Sequence, residues 1–154
     1  MDITIRPAAK RDLSSIVEML ADDELGRTRE DFRDPLPESY LTAFKNISED
    51  KNQELMVVES DGSEIVGTFQ LSFIPYINYC GGIRAQIESV HVKASHRGMG
   101  LGKKMFEWAI ARAKQKQARI LQLTSDKKRP EAIKFYKNLG FHASHEGLKM
   151  HFSY

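Results

Sequence analysis

The sequence predicts an α/β fold: a mixed sheet with helices packed on it, in the order β-α-α-β-β-β-α-β-α-β-β. Three observations predict it. First, Ile83, Ala85 and Ile87 alternate as one face of a strand, and apolar character then resumes out of phase at Val90 and Val92. A parity slip of this kind is what a β-bulge produces, here at Glu88-Ser89 of a central strand. Second, Gly98, Gly100 and Gly102 open a helix whose stripe is Leu101, Met105, Phe106, Ala109, Ile110 and Ala113. Third, Ile120, Leu121 and Leu123 read as a buried strand after that helix, which makes a β-α-β crossover.

The remaining elements follow in order. Ile3 and Ile5 alternate in a first strand that Pro7 closes. Leu13, Ile16, Val17 and Leu20 recur at helical spacing, with Asp12 in the early turn. The charged stretch DDELGRTREDFRDPLP is a loop, and Pro37 suits the start of a second helix marked by Tyr40, Leu41, Phe44 and Ile47. Leu55 to Val58 and Ile65 to Phe73 form a hairpin around the turn signal Asp61-Gly62. The aromatic connection PYINYCGG leads into the central strand. Pro130 opens a last helix bearing Ala132, Ile133, Tyr136 and Leu139, which Gly140 ends. Phe141 to Tyr154 then read as two closing strands around Glu146-Gly147.

A chain of 154 residues, 41% hydrophobic, suits one domain, residues 1–154. A net charge of +2 implies no general affinity for nucleic acid. Arg97, Lys103, Lys104, Lys127, Lys128 and Arg129 either screen a phosphorylated ligand or form ordinary solvated faces. The single cysteine, Cys80, permits no internal disulfide and suits a reducing compartment. No run of eighteen apolar residues and no apolar leader occur, so no membrane association and a cytoplasmic location are expected. The five histidines lack helical ligand spacing with a supporting carboxylate, so no metal site is expected.

A loop without side chains at a helix start offers free N–H groups and the positive end of the helix dipole to an anion. Two familiar phosphate binders fail to match. The dinucleotide fingerprint from Gly98 needs glycine where Lys103 stands, and the phosphate loop of nucleotide hydrolases needs Ser or Thr in place of Lys104. The pattern R-x-x-G-x-G over Arg97, Gly100 and Gly102 resembles the acetyl-coenzyme A (acetyl-CoA) loop of the GNAT superfamily of N-acetyltransferases. The segment from Ala132 to Phe141 is similar to that family's A-x-x-x-Y-x-x-x-G-F signature, and the element order matches its fold over essentially the whole chain.

The resemblance implies transfer of the acetyl group of acetyl-CoA to an amine by direct attack in a ternary complex. It places pantetheine along Val90, His91 and Val92, and pyrophosphate on the amides of Arg97, Gly98, Met99, Gly100, Leu101, Gly102 and Lys103. It makes Tyr136 the acid for the departing thiolate, against the reading of a packed tyrosine. Glu88 is a candidate general base, against a carboxylate that merely pairs with a neighbouring Arg or Lys; a water chain is a further route for the proton. Gln86 is placed to orient substrate. One departure stands out: the family's asparagine seven residues before the tyrosine is Arg129 here, leaving the arm to Arg129, Ser125 or backbone.

The acceptor is read as a small-molecule amine, favoured by Asp22, Asp23, Glu24, Glu30 and Asp31 in the first long loop. The alternatives are a protein amino group and a non-catalytic acyl-CoA sensor. His145-Glu146 lines an acceptor pocket or a surface turn, and PYINY is pocket wall, homodimer contact or neither.

Overall fold

The computed structural model describes residues 1–154 and resolves into two compact units, Met1–Gln122 and Leu123–Tyr154. The first unit is built on a five-stranded sheet in chain order: β1 (Ile3–Pro7), β2 (Gln53–Ser60), β3 (Ile65–Pro75), β4 (Ile83–Val92) and β5 (Ile120–Gln122). The first four strands are antiparallel and β5 runs parallel to β4, as the β-α-β reading requires. Helices α1 (Leu13–Ala21), α2 (Glu38–Glu49) and α3 (Leu101–Gln115) belong to this unit.

Residue parity explains the core. Phe69, Leu71 and Phe73 of β3 and Ala85 and Ile87 of β4 are buried, as are Leu101, Met105, Phe106, Ala109 and Ala113 of α3. Trp108 sets its ring edge-on to Phe69 at 5.6 Å. Gly67 lets α3 approach the sheet closely: a side chain there would meet the Met105 sulfur at 3.3 Å. Thr68, on the opposite parity, is buried and satisfies its hydroxyl on the Met56 carbonyl at 2.9 Å.

Asp12, beside the start of α1, is a buried carboxylate. Arg6 on β1 grips it through two nitrogens at 2.8 and 3.0 Å and donates Nε to Glu59 at 2.6 Å. The amide of Ala9 supplies a further donor at 2.7 Å. The strand-to-helix junction is thereby fixed by charge.

The PYINYCGG connection folds into a single left-handed turn, with Tyr79 and Cys80 both at positive φ and Cys80 exposed. Its tyrosines clasp Arg84, whose guanidinium lies 4.5 Å from the Tyr76 ring centre and 5.4 Å from that of Tyr79.

The second unit contains α4 (Pro130–Asn138). Gly140, at φ 104°, and Phe141 close it, the Phe141 amide reaching back to the Tyr136 carbonyl at 3.1 Å. The two closing strands expected between Phe141 and Tyr154 do not form; the segment is irregular beyond α4. The element order therefore ends one helix after β5.

Candidate active site

The anticipated bulge is present in β4, with the extra residue one position further on. Thr68 faces His91 and Gln70 faces Glu88, so Ser89 and Val90 together oppose the single residue Phe69. Ser89 takes a positive φ of 54°, which lets the strand absorb the extra residue and returns Val90 and Val92 to partly buried positions. On its other side β4 pairs with β5 only from Arg84 to Gln86. From Ile87 onward no strand accompanies β4 along that edge.

The exposed edge has defined polarity. The Lys93 amide donates to the Val66 carbonyl at 2.8 Å. By ladder alternation the N–H and C=O of Val92 then face away from β3, towards the open side. The Arg97 side chain confirms this direction by donating Nε to the Val92 carbonyl at 3.2 Å. Of the three residues expected to border the arm, Val92 thus presents its backbone groups on the open edge, while those of His91 face β3.

The chain then turns directly into the glycine loop. Gly98 and Gly100 have φ of 76° and 79°, and a Cβ at either would meet nothing within 4 Å. Their glycine character answers to backbone conformation and leaves the space above them clear. None of the amides from Gly98 to Lys103 donates to a backbone carbonyl; the ladder of α3 begins with Lys104 on Gly100 at 3.3 Å. Met99 and Lys103 are exposed, while Leu101 is buried and anchors the helix start. The loop is a fan of free donors at the positive end of a fifteen-residue helix.

Glu88 does not pair with an Arg or Lys. Gln122 donates its amide to the Gln86 oxygen at 2.9 Å, and Gln86 donates to Glu88 Oε1 at 2.7 Å. The relay runs from β5 along β4 and holds an exposed carboxylate at the rim of the bulge. Sequence parity signalled it, since residues 86 and 88 share a face, but the Gln122 partner required the sheet register.

The acidic loop after α1 is largely self-neutralised. Asp23 lies 3.7 Å from His91 Nδ1 and caps the Gly26 amide with its other oxygen. Gly26 is irreplaceable there, because a Cβ would sit 1.8 Å from the Leu20 carbonyl oxygen. Glu30 accepts from the Tyr40 hydroxyl at 3.0 Å and from Arg29 at 3.2 Å, and Asp31 pairs with Arg33 at 3.3 Å. Asp22 and Glu24 are exposed. The sequence missed the Asp23–His91 link, which joins residues 68 positions apart and carries no local signal.

In the second unit, Tyr136 sits on the half-buried side of α4 among aromatic rings, edge-on to Phe135 at 5.6 Å and to Phe141 at 6.2 Å. Burial raises its phenol above the ordinary value of 10, and the positive charge of Arg129 opposes that rise. Arg129, at the start of α4, is therefore electrostatically coupled to the tyrosine. Glu146 is exposed and pairs with Lys127 at 3.2 Å, so His145-Glu146 is a surface turn. No three His, Cys, Asp or Glu side chains converge as a metal site, and no helix is long and apolar enough to cross a membrane. A cavity of about 600 Å³ between α2, β2 and α3 is lined by Phe44, Ile47, Leu55 and Trp108 and includes none of these site residues.

Comparison with known proteins gives this geometry its context. The family model described as Acetyltransferase (GNAT) family matches residues 19–141. A crystal structure described as a transcriptional regulator from Bacillus halodurans C-125 is 54% identical, with a TM-score of 0.95 over 98% of this chain and 100% of that one. An acetyltransferase from Trypanosoma brucei is 26% identical, with a TM-score of 0.79 over 98% of this chain and all of the other. Glucosamine-6-phosphate N-acetyltransferase from Arabidopsis thaliana shares the fold at 21% identity and a TM-score of 0.80, over 99% of this chain and 100% of that one. The bulged strand, the glycine loop and these matches together assign the chain to the GNAT acetyltransferase family, a family of acyltransferases that use acetyl-CoA.

Proposed function

We propose that residues 1–154 act as one N-acetyltransferase domain that moves the acetyl group of acetyl-CoA to a primary amine of a small molecule. The observation that carries this reading is the unaccompanied edge of β4 running without a break into the glycine loop. An extended arm with amide groups can add to such an edge as a strand would. The N–H of Val92 is one donor for it, and the amides from Gly98 to Lys103 suit the diphosphate.

The reaction asks for a bond from the amine nitrogen to the acetyl carbon, cleavage of the C–S bond, and one proton moved from amine to thiolate. Tyr136, kept neutral by burial, is assigned the proton that goes to sulfur. Glu88, oriented by Gln86, is assigned the proton that leaves the amine, directly or through water. A backbone N–H of β4 aimed at the acetyl oxygen would contribute about 3 kcal/mol. A small acceptor is supported by the fold shared with the glucosamine-6-phosphate enzyme and by the exposed carboxylates Asp22, Glu24 and Glu88. A cytoplasmic location follows from the same reading, since acetyl-CoA and a free thiol both suit a reducing compartment.

A thiol-release screen with acetyl-CoA against amines, aminoglycosides, amino acids and peptides tests the assignment. Turnover with a subset of small amines is expected. Turnover with peptides alone would move the acceptor to a protein amino group. Tight acetyl-CoA binding without turnover on any acceptor would leave a sensor, the reading that the name of the Bacillus halodurans relative favours.

A further inference from the structure

Helix α2 is amphipathic, with Leu41, Phe44 and Ile47 along one side, yet none of its residues is fully buried. An amphipathic helix ordinarily closes its apolar stripe against the core. Here the stripe is only half covered and borders the cavity of about 600 Å³ walled by Phe44, Ile47, Leu55 and Trp108. An apolar gap forfeits contacts on every wall that faces it. Volumes of roughly 300–1,000 Å³ with aromatic sides and a few polar groups are what small-molecule sites offer.

The polar part of the lining, Gln53, Glu54, Arg112 and Gln115, is chemically one-sided. Arg112 donates Nε to both oxygens of Glu54, at 2.6 and 3.1 Å, and Nη1 to the Gln115 oxygen at 3.2 Å. Gln53 commits its oxygen to Gln70 and Ser72, at 2.9 and 2.8 Å. The acceptors of this group are therefore engaged. Its remaining groups are donors: Nη2 of Arg112 and the side-chain nitrogens of the two glutamines make no hydrogen bond within the protein. A guanidinium carries five donors, and one that holds a carboxylate through Nε keeps its far edge for a second. Uncommitted donors beside aromatic walls call for an acceptor group on an apolar body.

We propose that this cavity is a second small-molecule site, whose ligand is a compact carboxylic acid with an aromatic or branched aliphatic body. The carboxylate takes the far edge of Arg112, and the body lies against Phe44 and Trp108. An amine fits poorly, because its donors would meet donors and Glu54 is already held by Arg112. A bare anion such as acetate leaves the rings uncovered. None of the lining residues is among those assigned to acetyl transfer, so the site stands or falls apart from that reading.

Trp108 is the only tryptophan of the chain, so its fluorescence reports on the cavity wall directly. Three probes are titrated without acetyl-CoA: phenylacetate, benzylamine, which carries the same ring on a cation, and acetate, which lacks the ring. Phenylacetate is expected to change the emission saturably, with one equivalent bound by calorimetry and a Kd of about 1 mM or below. Benzylamine and acetate should bind about ten-fold more weakly or not at all. Arg112→Gln should weaken phenylacetate by about ten-fold. Ala111→Phe places a ring at an exposed position of the lining, so it should keep its far-ultraviolet circular dichroism and exclude the probe. If Arg112→Gln fails to fold, Ala111→Phe and the ranking of the three probes decide. Absence of saturation by phenylacetate overturns the site. So does phenylacetate binding that either folded variant leaves intact, and so does benzylamine or acetate binding as tightly as phenylacetate.

Discussion

In the proposed reaction Tyr136 concentrates the acid chemistry in a single group. Its burial among Phe135 and Phe141 holds the phenol neutral well past physiological pH, so its hydrogen is available when sulfur becomes basic. Tyr136→Phe should lower kcat by about ten- to a thousand-fold with little change in the Kd of CoA, measured by single-turnover kinetics and titration calorimetry. The sign of the pH effect follows from the raised value. Activity that needs the protonated phenol persists below its pKa and falls only as pH climbs through it, so the alkaline limb should lie above 10. Because Arg129 holds that value down, Arg129→Ala should move the limb further up, which a pH–rate profile or ultraviolet titration of the tyrosine would show. Glu88 presents a different case. Its partner is the neutral amide of Gln86, so Glu88→Gln keeps the hydrogen-bonding shape and removes only basicity. A rate unchanged by that variant would hand the proton to water.

At the scale of elements, the glycine loop and the bulge divide the labour between conformation and access. A Cβ at Gly100 would meet nothing within 4 Å, so Gly100→Val should fold, at a cost of about 1–2 kcal/mol for the left-handed backbone. On the proposed reading the same variant should lose CoA binding, because the branched group would stand in the path assigned to the phosphates; normal binding by the folded variant would remove the loop from the site. Most of this was readable in the residues themselves. The parity slip between Ile87 and Val90 foretold the bulge, because a one-residue shift must move every later side chain to the other face. The spacing of Leu101, Met105, Phe106, Ala109 and Ala113 foretold the buried side of α3. The closing strands were misread, because the alternation from Leu148 to Tyr154 states a pattern of side chains and does not supply the neighbouring strand that a ladder needs. The Gln122–Gln86–Glu88 relay and the Asp23–His91 link were equally hidden, since each depends on register between distant segments.

For the molecule as a whole, the junction of β1 and α1 sets the acid limit. Arg6 hydrogen-bonds the buried Asp12 and holds its carboxyl below the ordinary carboxylate value of 3.8. A depressed acid contributes stability that is present above the unfolded value and is lost as pH falls through the folded one. Urea unfolding midpoints should therefore be steady near neutrality and drop below about pH 4, and Asp12→Asn should flatten that drop. At neutral pH Asp12→Ala should cost about 3 kcal/mol, because it strands part of the Arg6 guanidinium and the Ala9 amide. Equal acid sensitivity in wild type and Asp12→Asn would assign the transition to other carboxylates.

Cys80, exposed on its left-handed turn, is the only thiol the protein owns. Colourimetric reagents that trap the CoA released in turnover will also modify this sulfur, giving a fast burst of one equivalent per chain before any catalysis. Cys80→Ser should erase the burst and leave the steady slope untouched. In the parent protein the same sulfur is a single attachment point for a fluorophore, placed beside the rings that clasp Arg84.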